Sequence, residues 1–176
     1  MSDQDLAQAL ERAEAVLQRR PTTGMHEDAA ATARWDGGTQ VVSSHENGTL
    51  VATDMPKELG GHGEYVTPGW LFRAGLAACA TTSIAMVAAR ENVAVRSLEV
   101  RASSRSDARG VLGMQDPNGA QISAGPRDVE LLVKISADDA APERLRALVE
   151  TALRQSPIPT AVRQPVPIEL KVEVGG

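Results

Sequence analysis

One stretch governs what this chain can fold into. Between Arg73 and Arg90 there is no charged residue. From about Gly69 to Arg90 the apolar residues fall nearly all round a helix rather than along one stripe. Such a helix belongs at the centre of a domain. Thr67-Pro68 supplies its start, because threonine caps well and proline suits the first helical position. The run is too short to span a bilayer and carries Thr81, Thr82 and Ser83. Ala74, Gly75, Ala77, Ala78 and Ala80 are small, so another backbone can approach closely and a second helix is expected there. One short second helix can hardly cover the whole surface, so a homodimer is expected.

In the middle of this helix stands Cys79, the single cysteine of the chain. An internal disulfide is therefore ruled out, and a reducing cytoplasm is the expected compartment. A lone buried cysteine usually behaves as a small hydrophobe. Cys79 lies about three turns past the helix start, beyond the reach of the N-terminal dipole. A reactive thiol there needs a charged partner from another segment. Glu58, Glu64, Arg34 and Arg73 are the nearby charged residues that could take part. On pattern alone, Cys79 reads as structural more often than reactive.

Other chemistry is poorly represented. The net charge is −5 and no basic block stands out, so no nucleic acid is expected as a partner. The acidic opening Met1-Ser2-Asp3-Gln4-Asp5-Leu6 lacks the order of a signal peptide. No membrane association is expected. His26, His45 and His62 lack the close spacing of a metal site, so no metal is expected. Gly60-Gly61-His62-Gly63 lacks the strand-to-helix setting of a nucleotide loop and reads as a hinge or tight turn. No cofactor is expected.

The four aromatic residues, Trp35, Tyr65, Trp70 and Phe72, fall within one part of the chain. They either plug a thick part of the core or wall an apolar pocket.

Around the central helix, residues 3–19 read as an amphipathic helix with Leu6, Leu10, Ala13 and Leu17 on one face, stopped by Pro21. Strands are expected at 31–35, 39–44 and 49–53, joined by turns at Asp36-Gly37-Gly38 and Glu46-Asn47-Gly48. An irregular loop rich in glycine and proline fills 55–69. Further strands are expected at 98–104 and 129–136, with a turn at Asp116-Pro117-Asn118-Gly119. A second amphipathic helix covers 142–155, and Ser156-Pro157-Ile158-Pro159 breaks or kinks it. Residues 168–174 alternate apolar and charged and read as a last strand. The order, an added helix and then βββ-α-ββ-α-β, favours an α+β domain with mainly antiparallel sheet. Residues 1–21 form a helical extension and 22–176 a single domain.

Two segments together carry a family resemblance: Pro56-Lys57-Glu58-Leu59-Gly60-Gly61, and the run from Thr67-Pro68-Gly69-Trp70-Leu71-Phe72 to Ala77-Ala78-Cys79. They resemble the Ohr/OsmC family of thiol-dependent hydroperoxide reductases, whose Ohr branch has E-L-G-G followed by N-P-x-x-L-F-A-A-G-x-x-A-C. Asp107-Ala108-Arg109-Gly110-Val111-Leu112-Gly113 resembles a motif of OsmC-like members. The likeness covers roughly residues 30–175.

The resemblance implies an OsmC-like fold, with sheets wrapped around two central helices in an intertwined homodimer and active sites at the subunit interface. It implies that Cys79 is the peroxidatic thiol. Glu58 and an arginine, Arg34 with Arg73 as fallback, would hold and activate it. A positive charge beside a thiol favours its thiolate. The glutamate would hold the guanidinium by paired hydrogen bonds. Trp35, Tyr65, Trp70, Phe72 and Ser156 would line a pocket for an apolar hydroperoxide or another small apolar ligand. The family's second cysteine would fall at Ser156, so a sulfenic acid on Cys79 would need an external thiol reductant.

Three readings stay open. The protein is a one-cysteine peroxidase or peroxide-responsive protein in oxidative stress defence. It is a binding module that has lost the redox cycle. Or Cys79 is structural, and the dimer serves another purpose.

Overall fold

The computed structural model of the protein describes residues 3–164 and 166–175. Helix α1 spans Asp3–Arg19. Strands β1 (Thr32–Gly37), β2 (Gln40–Ser44) and β3 (Leu50–Thr53) form an antiparallel meander. Helix α2 (Pro68–Arg90) follows, then β4 (Val95–Arg105), a short α3 (Ala108–Val111) and β5 (Arg127–Ala137). Helices α4 (Pro142–Arg154) and α5 (Pro157–Arg163) complete the order. Single 3-10 turns lie at Pro21–Gly24 and Lys57–Leu59. This is an α+β arrangement with antiparallel sheets and several helices, as the pattern of elements predicts.

Helix α2 starts and stops by local chemistry. The Thr67 hydroxyl accepts from the Trp70 amide at 3.1 Å, and Pro68 takes the first turn. At the far end Asn92 adopts a left-handed φ of 53°. The Val93 amide reaches back to the Ala88 carbonyl at 2.9 Å, and the Asn92 amide to that of Ala89 at 3.2 Å. This paired C-cap satisfies carbonyls the helix leaves open and folds Val93 into the core.

The core is one-sided. Ile84, Val87 and Ala88 from α2 meet Leu145, Leu148 and Ala152 from α4. Val95, Leu98, Val100, Val133 and Ile135 from the β4–β5 pair close the other side. In that pair Leu98 lies opposite Ile135 and Val100 opposite Val133. The buried residues of α2 are concentrated beyond Cys79, but a stripe along the helix is left open. Ala78, Thr82 and Met86, one helical turn apart, stay exposed. The helix is longer than the uncharged run suggested: at 23 residues α2 could cross a bilayer by length and composition alone, so shortness does not exclude a span. Here it packs against α1, β4, α4 and α5.

The meander stands apart. Among the described residues no substantial packing joins β1, β2 or β3 to the helices. Residues 32–36 of β1 are all exposed. A three-stranded sheet with no helix packed on either face is an incomplete layer.

One expected element is absent. Residues 168–174 form no strand. Ile168, Leu170, Val172 and Val174 are each at least 71% exposed. The alternation is genuine, but among the described residues no sheet edge pairs with it. Helices α3 and α5 were not expected as elements. The break at Ser156-Pro157 falls where it was expected, with α4 ending at Arg154 and α5 beginning at Pro157.

Candidate functional site

Cys79 sits where the more buried half of α2 begins, and it is half-buried. Its sulfur lies 3.2 Å from the hydroxyl of Ser156. The Ile158 amide donates to the same sulfur at 3.5 Å. The helix break at Pro157 makes this possible. Ending α4 at Arg154 turns Ser156 inward, where it is fully buried. Helix α5 packs close to α2 here: a Cβ at Gly75, one turn before Cys79, would lie in ordinary contact with Ile158 at 3.7 Å.

A thiolate at Cys79 can accept from both donors, Ser156 Oγ–H and Ile158 N–H. The same two groups can hold the oxygen of a sulfenic acid. A serine hydroxyl cannot form a disulfide.

The charged candidates lie elsewhere in the single chain. Glu58 sits in the 3-10 turn Lys57–Leu59 and Arg34 in the middle of β1, both exposed. Among the described residues neither has a side-chain hydrogen bond or ion pair, and neither meets Cys79. Arg73 reaches sideways to the Ser104 hydroxyl at 3.4 Å. Glu64 is exposed in the loop before α2. The aromatic residues do not gather around the thiol either. Trp35 is 76% exposed, with its indole donating to the Gly38 carbonyl at 3.0 Å. Tyr65 and Trp70 are each about half exposed, and Phe72 is half-buried. One chain therefore brings together Cys79 and Ser156 only.

The residue that sequence reasoning missed is Asp54, at the end of β3. It is fully buried and accepts four hydrogen bonds. Thr39 Oγ1 donates at 2.6 Å, the Met55 and His62 amides at 2.8 Å, and the Gly63 amide at 3.1 Å. The Thr39 hydroxyl foremost, with those amides, lowers its pKa to about 2 against the opposing effect of burial. The His62 ring adds a longer contact at 3.9 Å. Gly61 is required at this point, because a Cβ there would collide with the Met55 carbonyl. The Asp107–Gly113 motif makes a second tight corner. Asp107 caps α3 and pairs with Arg109 at 2.6 Å, which holds its pKa near 2.

Two hollows border this framework. One of about 560 Å³ lies between α1 and α2 and is lined by Leu10, Leu17, Ser83, Met86 and Gln155. Ser83 is one turn beyond Cys79, and Gln155 adjoins Ser156. The other, about 630 Å³, runs beside β5 and α4, with Val133, Ile135, Leu145 and Val149 along it.

The sequence profile of OsmC-like proteins matches residues 61–171. Comparison with curated proteins finds no match. Among solved structures, an OsmC-like protein from Mycoplasma pneumoniae is similar in fold, with a TM-score of 0.66 at 14% identity over 80% of this chain and 91% of that one. An organic hydroperoxide resistance protein OsmC from Legionella pneumophila, also described as a redox protein, gives 0.56 at 24% identity over 80% and 92%. A Vibrio cholerae protein assigned to organic hydroperoxide resistance, solved with captopril in one of its active sites, gives 0.55 at 27% over 80% and 89%.

Proposed function

The chain belongs to the OsmC-like protein family, and on that footing we propose that it is a one-cysteine, thiol-dependent organic hydroperoxide reductase of oxidative stress defence. The observation that carries this reading is the half-buried Cys79 sulfur, which accepts from the Ile158 amide and lies 3.2 Å from the Ser156 hydroxyl, a group that can donate to a thiolate.

The Cys79 thiolate attacks the terminal oxygen of a hydroperoxide. The S–O bond forms and the O–O bond breaks. The electron pair leaves with the alkoxide, which takes a proton and departs as the alcohol. Sulfur loses two electrons and carries a sulfenic acid. An external thiol then condenses with it, releasing water and leaving a mixed disulfide. A second thiol frees Cys79 and departs as the disulfide of the reductant.

The acting unit in this proposal is a homodimer. The uncovered meander and the open stripe along α2 support it, because each chain offers what the other lacks. Glu58 and Arg34 of a second copy would then reach Cys79, with Arg73 as the nearer alternative on its own helix. Trp35, Tyr65 and Trp70, now exposed, would close with the half-buried Phe72 over an apolar substrate. A cytoplasmic location fits this chemistry, since a thiol pool is available there. The similar proteins named for organic hydroperoxide resistance support the substrate class.

Turnover with cumene hydroperoxide tests the proposal. Without added thiol the protein should consume one equivalent and stop. Dithiothreitol should let it continue, and Cys79→Ser should consume none. Equal consumption by Cys79→Ser, or none by the parent protein, would overturn it. An inert thiol with an apolar compound retained in the pocket would favour the binding-module reading instead.

A further inference from the structure

The loop from Met55 to Gly63 carries Glu58 at its tip, and both of its ends are tied to one carboxylate. Asp54 Oδ1 receives the Met55 amide as the chain leaves β3. Asp54 Oδ2 receives the His62 and Gly63 amides as the chain returns. The Gly63 amide also donates to the Met55 carbonyl at 3.2 Å, and the Gly61 amide to that of Pro56 at 3.2 Å. Gly61 packs against this base so closely that no side chain fits. The tip is a single 3-10 turn with Lys57 and Glu58 exposed.

The fourth bond leads out of the loop. Thr39 Oγ1 donates to Asp54 Oδ1 at 2.6 Å, the shortest of the set. Thr39 follows the Gly37-Gly38 turn that closes β1, the strand of Arg34. One buried carboxylate thus joins the two segments that bear Glu58 and Arg34. Surface loops are ordinarily held by their own backbone turns. A buried, fully partnered aspartate costs desolvation and is retained where its geometry is needed.

We infer that Asp54, clamped by Thr39, is the positioning residue that holds Glu58 at a fixed distance from the Arg34 strand, so that the two arrive together at a thiol. The inference rests on the proposed role of Glu58 and Arg34 at Cys79. Asp54 itself touches neither substrate nor sulfur. In Asp54→Asn one acceptor oxygen becomes an amide whose N–H groups face donors. Depending on the flip, they meet either the His62 and Gly63 amides or Thr39 and the Met55 amide. The base of the loop then opens, and a misplacement of about 1 Å at a reacting group can cost roughly a hundredfold in rate.

The experiment is a double-mutant cycle on the full-length protein, read as the rate of Cys79 oxidation by stoichiometric cumene hydroperoxide. Cleavage of the Lys57–Glu58 bond by trypsin is followed in parallel by mass spectrometry. Glu58→Gln and Asp54→Asn should each slow oxidation about ten- to a hundredfold. Together they should slow it no more than Glu58→Gln alone, because Asp54 acts only through Glu58. Asp54→Asn should also speed the tryptic cut. Should Asp54→Asn not fold, Thr39→Val takes its place in the cycle, and Thr39→Ser should restore most of the lost rate. If Glu58→Gln slows oxidation while Asp54→Asn does not, or if their effects multiply, the positioning role is overturned and the proposed function stands. If Glu58→Gln oxidises at the parent rate, the role of Glu58 fails and takes this inference with it.

Discussion

At the scale of single residues, Cys79 and Ser156 are the pair to manipulate. They stand 77 positions apart in sequence and 3.2 Å apart in space. A disulfide needs Cα atoms within roughly 7 Å and Cβ vectors aimed at each other. The Sγ–Oγ approach of 3.2 Å shows that the two side chains point at each other. Ser156→Cys should therefore form a bridge to Cys79 on addition of a hydroperoxide, shown by peptide mapping, and should turn over with a dithiol reductant. Oxidation at Cys79 without a bridge would contradict the geometry. Asp54 makes a second residue-level prediction. Its pKa is lowered to about 2, so its contribution to stability is full above the ordinary carboxylate range near 4. That contribution is lost as pH falls toward 2. The stability advantage of the parent over Asp54→Asn should hold at neutral pH and shrink between about pH 4 and 2 in denaturant titrations. Asp107 shifts in the same direction but is common to both proteins and cancels. Local pattern marked a helix centre at Cys79 and a helix break at Ser156-Pro157, but that the two positions belong together was implied only by the family resemblance. Asp54 was not. Its partner Thr39 lies 15 residues away, and only the folded β1–β2 turn brings it in.

At the scale of elements, the C-terminal segment is the most informative. Residues 168–174 have a strand's alternation and no partner strand, and their apolar side chains stand in water. The groove beside β5 and α4 offers an apolar wall of Val133, Ile135, Leu145 and Val149 at a sheet edge. An unpaired edge and an unpaired strand invite pairing. Replacing both Leu170 and Val172 with Asp should weaken self-association at micromolar concentration in sedimentation, while helix content by circular dichroism stays unchanged. Unaltered self-association would show that this segment does not carry it. The sequence pattern could announce this strand but not its partner, because pairing depends on an edge elsewhere. Elements with long, regular periodicity, α1, α2 and α4, were legible nearly to their ends. Helix α3 has 4 residues and α5 has 7, too few for a 3.6-residue period to declare itself.

At the scale of the whole molecule, one chain has a packed half and an open half. The packed half, α2 with α4 and the β4–β5 pair, holds Cys79 against Ser156. The open half, the meander and its loop, carries Arg34, Trp35 and Glu58 away from the thiol. Composition and order of elements gave the α+β class, but not this division, because apolar pattern marks a buried face without saying which chain buries it. In the proposed function Cys79 is a peroxide-reactive thiol. Its most direct test is one stoichiometric dose of cumene hydroperoxide at micromolar protein, followed by intact mass over seconds to minutes. We expect a rapid gain of one oxygen atom, mapped to Cys79 and removed by dithiothreitol. An unchanged mass, with Cys79 still free to alkylate after unfolding, would show that the thiol is packing.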